Sequence, residues 1–492
     1  RQRNANLEKI RINGMRKRTK IIASIGPSSS SASKLNKMIQ EGTDVFRINL
    51  SHSNILQAKK IVEQLKVESD KLNRPVATMI DLQGQKIRIK DFGKKTHVQL
   101  KNKDQFILDS SLPEGKGTNK VVGITYKELY KHLDKGDEIL LSDALIKLEV
   151  IGIKQNKIIT VVKRGGRLKP HQGLNKKGGG LTLRGITPKD KSDLQQALEI
   201  DIDYIAVSFV KDERDIKEIK KLIGKKQIGV IAKIERAEAL LKIDEIADAS
   251  DGILVARGDL GVEIGIEQLP AVQDRLIRKS IALDKIVIVA TQMMESMINN
   301  RVPTRAEVFD VANAVTSGVD AIMLSAETAI GRYPVDVVQE ACRICEIAEK
   351  TNRNITKVEK KELNLTSVDQ VIAFSAVFAA DNSCIKAIAC LTETGSTPRW
   401  MSRVQSNIPI YAMTKSDTAS RRICMYKGVY SIKINDVEYD HARANKQVVD
   451  LMVEKGAVKK GDFVIITKGD LMGTSGSTNA LKIVEVGNLV DA

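Results

Sequence analysis

Cysteine is scarce in this chain. Five are scattered over 492 residues, so no disulfide framework is expected, and a reducing compartment, the cytoplasm, is the expected location. Cys342 and Cys345 form a lone CxxC inside a helical pattern; with no second pair it reads as helix packing, not as a metal site. Long apolar runs are also missing. None reaches the ~18 residues of a membrane span, so no membrane partner is expected. The opening stretch RQRNANLEKIRING is basic and polar with no apolar core, so no secretory leader is read there. Arg1 opens the chain, Met15 is a candidate initiator, and residues 1–15 are taken as an N-terminal extension. There is one Trp and no dense basic run beyond the N-terminus. A nucleic-acid-binding protein is therefore disfavoured despite the formal charge of +18. The lysines are spread over expected helices and read as a solvated basic surface whose field draws in anionic substrates. No internal repeat or low-complexity segment appears.

What is present is a pattern repeated eight times: a short β-branched strand, a polar end, then an amphipathic helix. The strands are KIIASIG from Lys20, DVFRINLS from Asp44, ATMIDLQ from Ala77, YIAVSFV from Tyr204, IGVIAKIE from Ile228, GILVARGD from Gly252, IVIVATQM from Ile286 and AIMLSAET from Ala321. Near-continuous apolar runs suit strands covered on both faces. Eight such units predict a (β/α)₈ TIM barrel at 16–86 and 171–350. About 120 residues separate the third and fourth strands, far more than one βα unit needs. The excess, 87–170, alternates with period two and predicts a small inserted β-barrel placed as a lid over the barrel mouth. After Thr351 the polar KVEKKELNLTS reads as a linker, and 351–492 predicts a separate doubly wound α/β domain, regulatory in role. Length alone suggests about three domains.

The charges fall at strand ends: Arg47, Asn49 and Ser51 after the second, Asp81 after the third, Ser208 after the fourth. Lys233 and Glu235 end the fifth, Arg257 and Asp259 the sixth, Thr291 and Gln292 the seventh, Ser325 and Glu327 the eighth. A closed barrel gathers these on one face, where such folds carry their chemistry. Glu235 and Asp259 are hard carboxylates on neighbouring strands, suited to Mg²⁺ or Mn²⁺. Lys233, two residues before Glu235, shares its face and is placed to neutralise charge on a transferring phosphoryl group or an enolate. Gly258 and Asp259, in an expected glycine-rich turn, offer backbone N–H groups to a carboxylate, and Thr291 a hydroxyl. On these residues alone, a phosphoryl-transfer enzyme and a metal-enolate aldolase or lyase both remain open.

Taken together, TKIIASIGPSS, FRINLSHS, DLQGQKIRI, IAKIERAEA, SDGILVARGDLGVEIG, VATQMMESM, PTRAEVFDVANAV and DAIMLSAETAIGRYP resemble the pyruvate kinase family, from about Arg16 to Gly487. The resemblance implies transfer of the phosphoryl group of phosphoenolpyruvate to ADP, giving pyruvate and ATP. It makes Lys233 the phosphoryl-contacting lysine, Glu235 and Asp259 the metal ligands, and Arg47 a phosphate contact. Thr291 with the Gly258–Asp259 backbone becomes the carboxylate site. Thr291 and Ser325, on adjacent strands, are expected to hold the water chain that protonates the enolate. Pro27, Asn49, His52, Arg88 and Asp143 are expected at the nucleotide, Asp143 from the lid. The loop Thr392, Thr394, Gly395, Ser396 and Thr397 resembles an effector phosphate loop, for a sugar monophosphate or AMP, in a homotetramer.

The chain also departs from the family pattern. DLQGQKIR stands where many members read DTKGPEIR, so Leu82 removes an oxygen from the monovalent-cation site otherwise matched by Asn49, Ser51 and Asp81, and Lys86 replaces an acid. NKKGGGLT and SAETA resemble a bacterial, K⁺-independent subgroup carrying that lysine, and K⁺ is expected not to be required. Gln172 stands where the lid is expected to carry a lysine, with Lys176 or Lys177 as candidate replacements.

Overall fold

The computed structural model describes residues 17–181, 185–351, 365–434, 441–470 and 478–488. The expected N-terminal extension and most of the polar linker after Thr351 lie outside these residues.

Eight parallel strands close into a barrel: Lys20–Ser24, Val45–Asn49, Ala77–Asp81, Tyr204–Val207, Gly229–Ile234, Gly252–Ala256, Ile286–Ala290 and Ala321–Leu324. Their residues are buried almost throughout, as apolar strands under a ring of helices must be. The helix Glu213–Ile223 illustrates the outer layer. Asp212 caps it by accepting the Arg214 N–H at 3.0 Å, Ile216, Ile219 and Ile223 form its buried stripe, and Gly224 at φ +65° ends it.

Strand alternation then decides what fills the barrel. Ile21, Phe46, Ile80, Val207 and Ala232 point outward into the core shared with the helices. Ile22, Val45, Met79, Tyr204, Ile231 and Leu254 point inward, and this inner core continues without a break into Ile388, Met401 and Ile423 of the C-terminal domain. The inner face is thus apolar at the N-terminal end of the strands and polar at the other.

The segment between the third and fourth barrel strands builds a six-stranded sheet with its own core of Phe106, Leu108, Ile139, Leu148 and Val162, beside a two-stranded ribbon, Val98–Leu100 with Gly166–Leu168. The last strand of the larger sheet, Leu174–Lys176, lies past residue 170 and pairs with Glu138–Leu141. The two chain crossings that join this domain to the barrel are paired to each other: the Ile89 N–H donates to Gln172 at 3.0 Å and the Leu174 N–H to Ile87 at 2.9 Å. The C-terminal domain is a five-stranded sheet in the order Val429–Lys433, Ile410–Thr414, Ile385–Leu391, Phe463–Gly469, Thr478–Glu485, with only the last strand antiparallel.

Buried polar contacts lock this domain to the barrel floor. Arg403 forms an ion pair with Asp320, both side chains 4% exposed, and Asp320 also accepts the Val287 N–H at 2.9 Å. The Tyr204 hydroxyl donates to the Arg422 carbonyl at 2.6 Å. Arg403→Met leaves the Asp320 carboxylate buried without its cation. The expected loss is about 3 to 5 kcal/mol, read as a lower thermal midpoint, with part of it recovered on adding Asp320→Asn. An unchanged midpoint in the single variant would refute this reading of the interface.

Candidate active site

The polar ends of the barrel strands line one cleft of about 480 Å³. Arg47, Asn49, Ser51, Lys233, Glu235, Asp259, Thr291 and Ser325 all face it, together with Pro27, His52, Lys86 and Arg88. Asp81 lies directly beneath, 1% exposed.

The centre of the site is a buried charge network. Lys233 Nζ lies 3.0 Å from Glu235 and 3.2 Å from Asp81, and donates to the Ser208 hydroxyl at 2.7 Å. Arg47 donates through Nε to Asp81 at 2.7 Å and through a terminal nitrogen to Ser24 at 2.8 Å. Burial pushes the Asp81 carboxyl up, but the Lys233 ammonium and the Arg47 guanidinium outweigh it and hold the group below its usual range. Burial pulls Lys233 down, and Asp81 and Glu235 together more than reverse this, so its pKa is raised and it stays charged. Glu235 is raised, chiefly by burial and further by the Asp259 and Asp81 charges, against the pull of Lys233. Its other oxygen accepts the Phe209 N–H at 2.7 Å.

Asp259 is not in a glycine-rich turn. Arg257–Ile264 is a helix, and Gly258 and Asp259 are in its first turn. Tertiary contacts override the two glycines. Arg257 is anchored to the Thr291 carbonyl at 2.6 Å and to Asp310 at 2.7 Å, and the Gly258 N–H donates to the Thr291 hydroxyl at 2.9 Å. Thr291 itself holds φ at +70°, unusual for a β-branched residue, which turns its hydroxyl toward that helix end.

Glu235 and Asp259 repel each other across the cleft while each keeps lone pairs unused by protein donors. Among the described residues no group of three or more His, Cys, Asp or Glu forms a closed metal cage. Two hard oxygen donors beside an open cleft fit a divalent cation whose remaining ligands come from substrate and water.

The remaining expected residues divide between the cleft and other parts of the fold. Lys86 Nζ pairs with Asp259 at 2.6 Å, while Asp81 spends its oxygens on Arg47, Lys233 and Ser208. Leu82 is buried in the barrel's outer core and 1% exposed. Arg88 reaches the cleft rim and donates to the His171 carbonyl at 3.0 Å. Asp143 does not line the cleft: it sits exposed in a turn where Ser142, Asp143 and Ala144 all have positive φ, at the tip of a hairpin in the inserted domain. Neither Lys176 nor Lys177 lines the cleft. They pair with Asp137 at 2.8 Å and Glu138 at 3.0 Å within the inserted sheet. Thr392, Thr394, Gly395, Ser396 and Thr397 form the loop entering the helix Ser396–Arg403, with Gly395 at φ +81° donating its N–H to the Thr392 hydroxyl at 3.0 Å. Thr397 meets Thr478 at 2.9 Å. Ser208, expected as the polar end of the fourth strand, is in the network, and Ser24 and Phe209 join it as well. Ser24 is a polar strand end like the others, whereas nothing in the sequence marks Phe209, whose backbone N–H, at φ +54°, makes the contact.

Residues 16–338 match the family model "Pyruvate kinase, barrel domain", and residues 370–484 match "Pyruvate kinase, alpha/beta domain". The chain is 45% identical over 480 residues to a pyruvate kinase of Buchnera aphidicola subsp. Baizongia pistaciae, covering 96% of this chain and 99% of that protein. It is 42% identical over 477 residues to pyruvate kinase II of Salmonella typhimurium, covering 96% and 99%. It is 38% identical over 487 residues to a pyruvate kinase of Geobacillus stearothermophilus, covering 97% of this chain and 81% of that one.

The network makes a prediction independent of turnover. Asp81→Asn leaves Arg47 and Lys233 facing each other with one carboxylate fewer, at an expected cost of about 3 kcal/mol near neutral pH. Because the native Asp81 pKa is depressed, its contribution is fully present above the unfolded value of ~4 and is lost as pH falls through the native one. The difference in unfolding midpoint between wild type and variant should therefore shrink on acidification. A difference that widens would overturn the assignment.

Proposed function

The chain belongs to the pyruvate kinase family, whose substrates are phosphoenolpyruvate and ADP, and from that premise we propose how its own residues perform the transfer. The observation that carries the reading is the charged Lys233 ammonium, held between Asp81 and Glu235 and turned toward the cleft. Arg47 presents its guanidinium to the phosphate of phosphoenolpyruvate. Thr291, with the N–H groups of Gly258 and Asp259, orients the carboxylate. A β-phosphate oxygen of ADP attacks phosphorus in line, the bond from phosphorus to the enol oxygen breaks, and Lys233 neutralises charge on the oxygens in between. The enolate carbon then takes a proton through water ordered by the Thr291 and Ser325 hydroxyls. Glu235 and Asp259 would hold Mg²⁺ or Mn²⁺, which when bound neutralises phosphate charge and aligns the two substrates. Pro27, Asn49, His52 and Arg88 flank the nucleotide, and the inserted domain is the lid over it.

Regulation and assembly follow from features away from the cleft. The start of the Ser396–Arg403 helix, with the hydroxyls of Thr392, Thr394, Ser396 and Thr397, forms a phosphate nest for a sugar monophosphate or AMP. Large apolar side chains are exposed on two domains: Val302 and Phe309 (77% exposed) on the barrel, and Val368, Val371 and Phe378 (71% exposed) on the helix Val368–Asp381. Pairing each of these surfaces with its copy on another chain gives a tetramer with two kinds of isologous contact. No helix of the described residues is long and apolar enough to cross a membrane.

In an assay with phosphoenolpyruvate and ADP, Glu235→Gln and Asp259→Asn should each lose nearly all turnover. Lys233→Met should lose transfer by roughly 10²- to 10³-fold while still binding Mn²⁺ and retaining more of the enolisation of pyruvate. Transfer that survives while enolisation disappears would reverse the assigned roles. Sugar monophosphates and AMP added to the same assay should activate wild type but not a Ser396→Glu, Thr397→Glu variant; activation persisting there would move the effector elsewhere.

K⁺ should be dispensable. Leu82 is buried and has no side-chain oxygen to offer, and Lys86 brings a tethered positive charge into the cleft. In tetramethylammonium buffer the rate should rise less than about tenfold on adding K⁺, a factor of ten being ~1.4 kcal/mol of barrier, and Lys86→Glu should acquire K⁺ dependence. A larger rise in wild type refutes the idea.

A further inference from the structure

The two crossings between barrel and inserted domain attach to opposite ends of one helix, Arg257–Ile264. On the outgoing crossing, Lys86 Nζ lies 2.6 Å from Asp259 in the first turn, with both side chains about one-fifth exposed (21% and 20%). On the return crossing, the Gly178 N–H donates to the Glu263 carbonyl at 2.9 Å. The Glu263 carboxylate, 6% exposed, accepts the Ala237 N–H at 2.8 Å and the Asn175 side chain. Next to it, Glu238 accepts the Gly180 N–H at 2.7 Å. The two attachments are four residues apart on the helix, ~6 Å along its axis, so one cannot shift without the other feeling it.

Both crossings pass through left-handed glycines. Gly178, Gly179 and Gly180 hold φ of +82°, +74° and +88°, and Gly84 holds +66°. These are conformations open to glycine; Gly84 is fastened to the barrel by its N–H, which donates to Asp190 at 3.0 Å. Lys86 lies beyond Gly84, on a crossing paired to the return strand through Ile87 and Leu174. Glu263 grips the other joint at its glycines.

We propose that the helix Arg257–Ile264 is a lever between cleft and lid. Lys86 latches the lid to Asp259, Glu263 is the pivot that fastens the return crossing, and a divalent cation that takes Asp259 releases the latch while the pivot holds. This rests on the reading of Asp259 as a metal ligand. Lys86 and Glu263 are positioning residues: they set where the lid sits and touch neither reacting atom. Linkage makes the coupling reciprocal, so whatever the cation does to the lid, the latch does to cation affinity by the same factor.

The test uses Mn²⁺ alone on the full chain, without nucleotide. Binding is titrated by electron paramagnetic resonance. Lid position is read as the spin-label distance between Lys154→Cys on the inserted domain and Lys217→Cys on the barrel, in a Cys384→Ser background, since Cys384 is the one exposed cysteine of the five. In wild type, Mn²⁺ should shift the distance distribution. Lys86→Met should show the shifted distribution without metal, and should bind Mn²⁺ about fivefold more tightly, the scale of a partly exposed ion pair. Glu263→Gln should broaden the distribution with and without Mn²⁺. A Lys86→Met lid that stays at the metal-free wild-type distance overturns the latch even if Mn²⁺ binds more tightly, because removing any nearby cation does that. A Glu263→Gln distribution as narrow as wild type overturns the pivot. Glu235→Gln, which keeps the latch pair, separates the two readings. If Mn²⁺ still binds and moves the lid there, the two-carboxylate site is wrong and the lever stands. If Mn²⁺ binding is lost there while Lys86→Met leaves the lid in place, the metal site stands and the lever is wrong.

Discussion

The ammonium of Lys233 is the charge on which the cleft depends. Glu235 is pushed toward the neutral form by its burial and by the Asp259 and Asp81 carboxylates, and Lys233 is the cation opposing them at 3.0 Å. Asp81 is kept ionised by Lys233 and Arg47, and in turn fixes the direction of the Arg47 guanidinium. Removing any one of the three changes the electrostatic field at the other two. Such a network is poor evidence for stability, since well-packed apolar side chains of similar size serve a core as well or better. Its cost is compensated by an anionic ligand that brings the complementary charge into the same opening.

The barrel makes that arrangement affordable in packing terms through strand alternation. Met79 and Asp81, Ile231 and Lys233, and Tyr204, Ala206 and Ser208 occupy the same inward-facing series, so these strands change from apolar to polar along a single face. The floor is sealed by Tyr204, Ile231 and Leu254 and continues into the C-terminal domain's core, with Arg403–Asp320 at the seam. Charges at the mouth are therefore backed by a dry, closely packed interior, and Coulomb interactions among them are stronger than at a free surface. The same continuity gives the C-terminal domain a solid contact with the strands that carry the site.

Period and punctuation were enough to read the eight strands, because a strand buried on both faces has little freedom of composition, and the polar ends of those strands located the cleft. The inserted domain was legible from a gap too long for one βα unit. What could not be read were positions decided by contacts distant in sequence. Gly258 and Gly261 argue locally for a turn at Asp259, but anchoring of Arg257 to Thr291 and Asp310 imposes a helix. Asp143, expected at the nucleotide by family resemblance, sits at a hairpin tip in a turn of three positive-φ residues. Lys176 and Lys177, the candidate replacements for the expected lid lysine, pair with Asp137 and Glu138 on the neighbouring strand or beside it. Glu263 gave no signal at all, because Ala237 reaches it from the neighbouring barrel unit and Asn175 and Gly178 meet it only once the insertion has folded back.

On the proposed reading, in which Lys86 stands in for a diffusible cation, more than the identity of a charge changes. A free ion enters or leaves the cleft whatever the lid does, and its contribution is set by its concentration. Lys86 is covalently part of a crossing that is hydrogen-bonded to the return strand of the inserted domain, so its ammonium is tethered to that domain. If the proposed lever holds, the positive charge available to a phosphate depends on lid position, and lid position on what occupies Asp259, the partner of Lys86 at 2.6 Å. An ion pair in which both partners remain about one-fifth exposed is weak enough to be exchanged for a divalent cation and strong enough to bias a rigid body attached at two points. Under that proposal a lysine in this place links metal loading, phosphate electrostatics and closure, which a diffusible cation would leave as three separate equilibria.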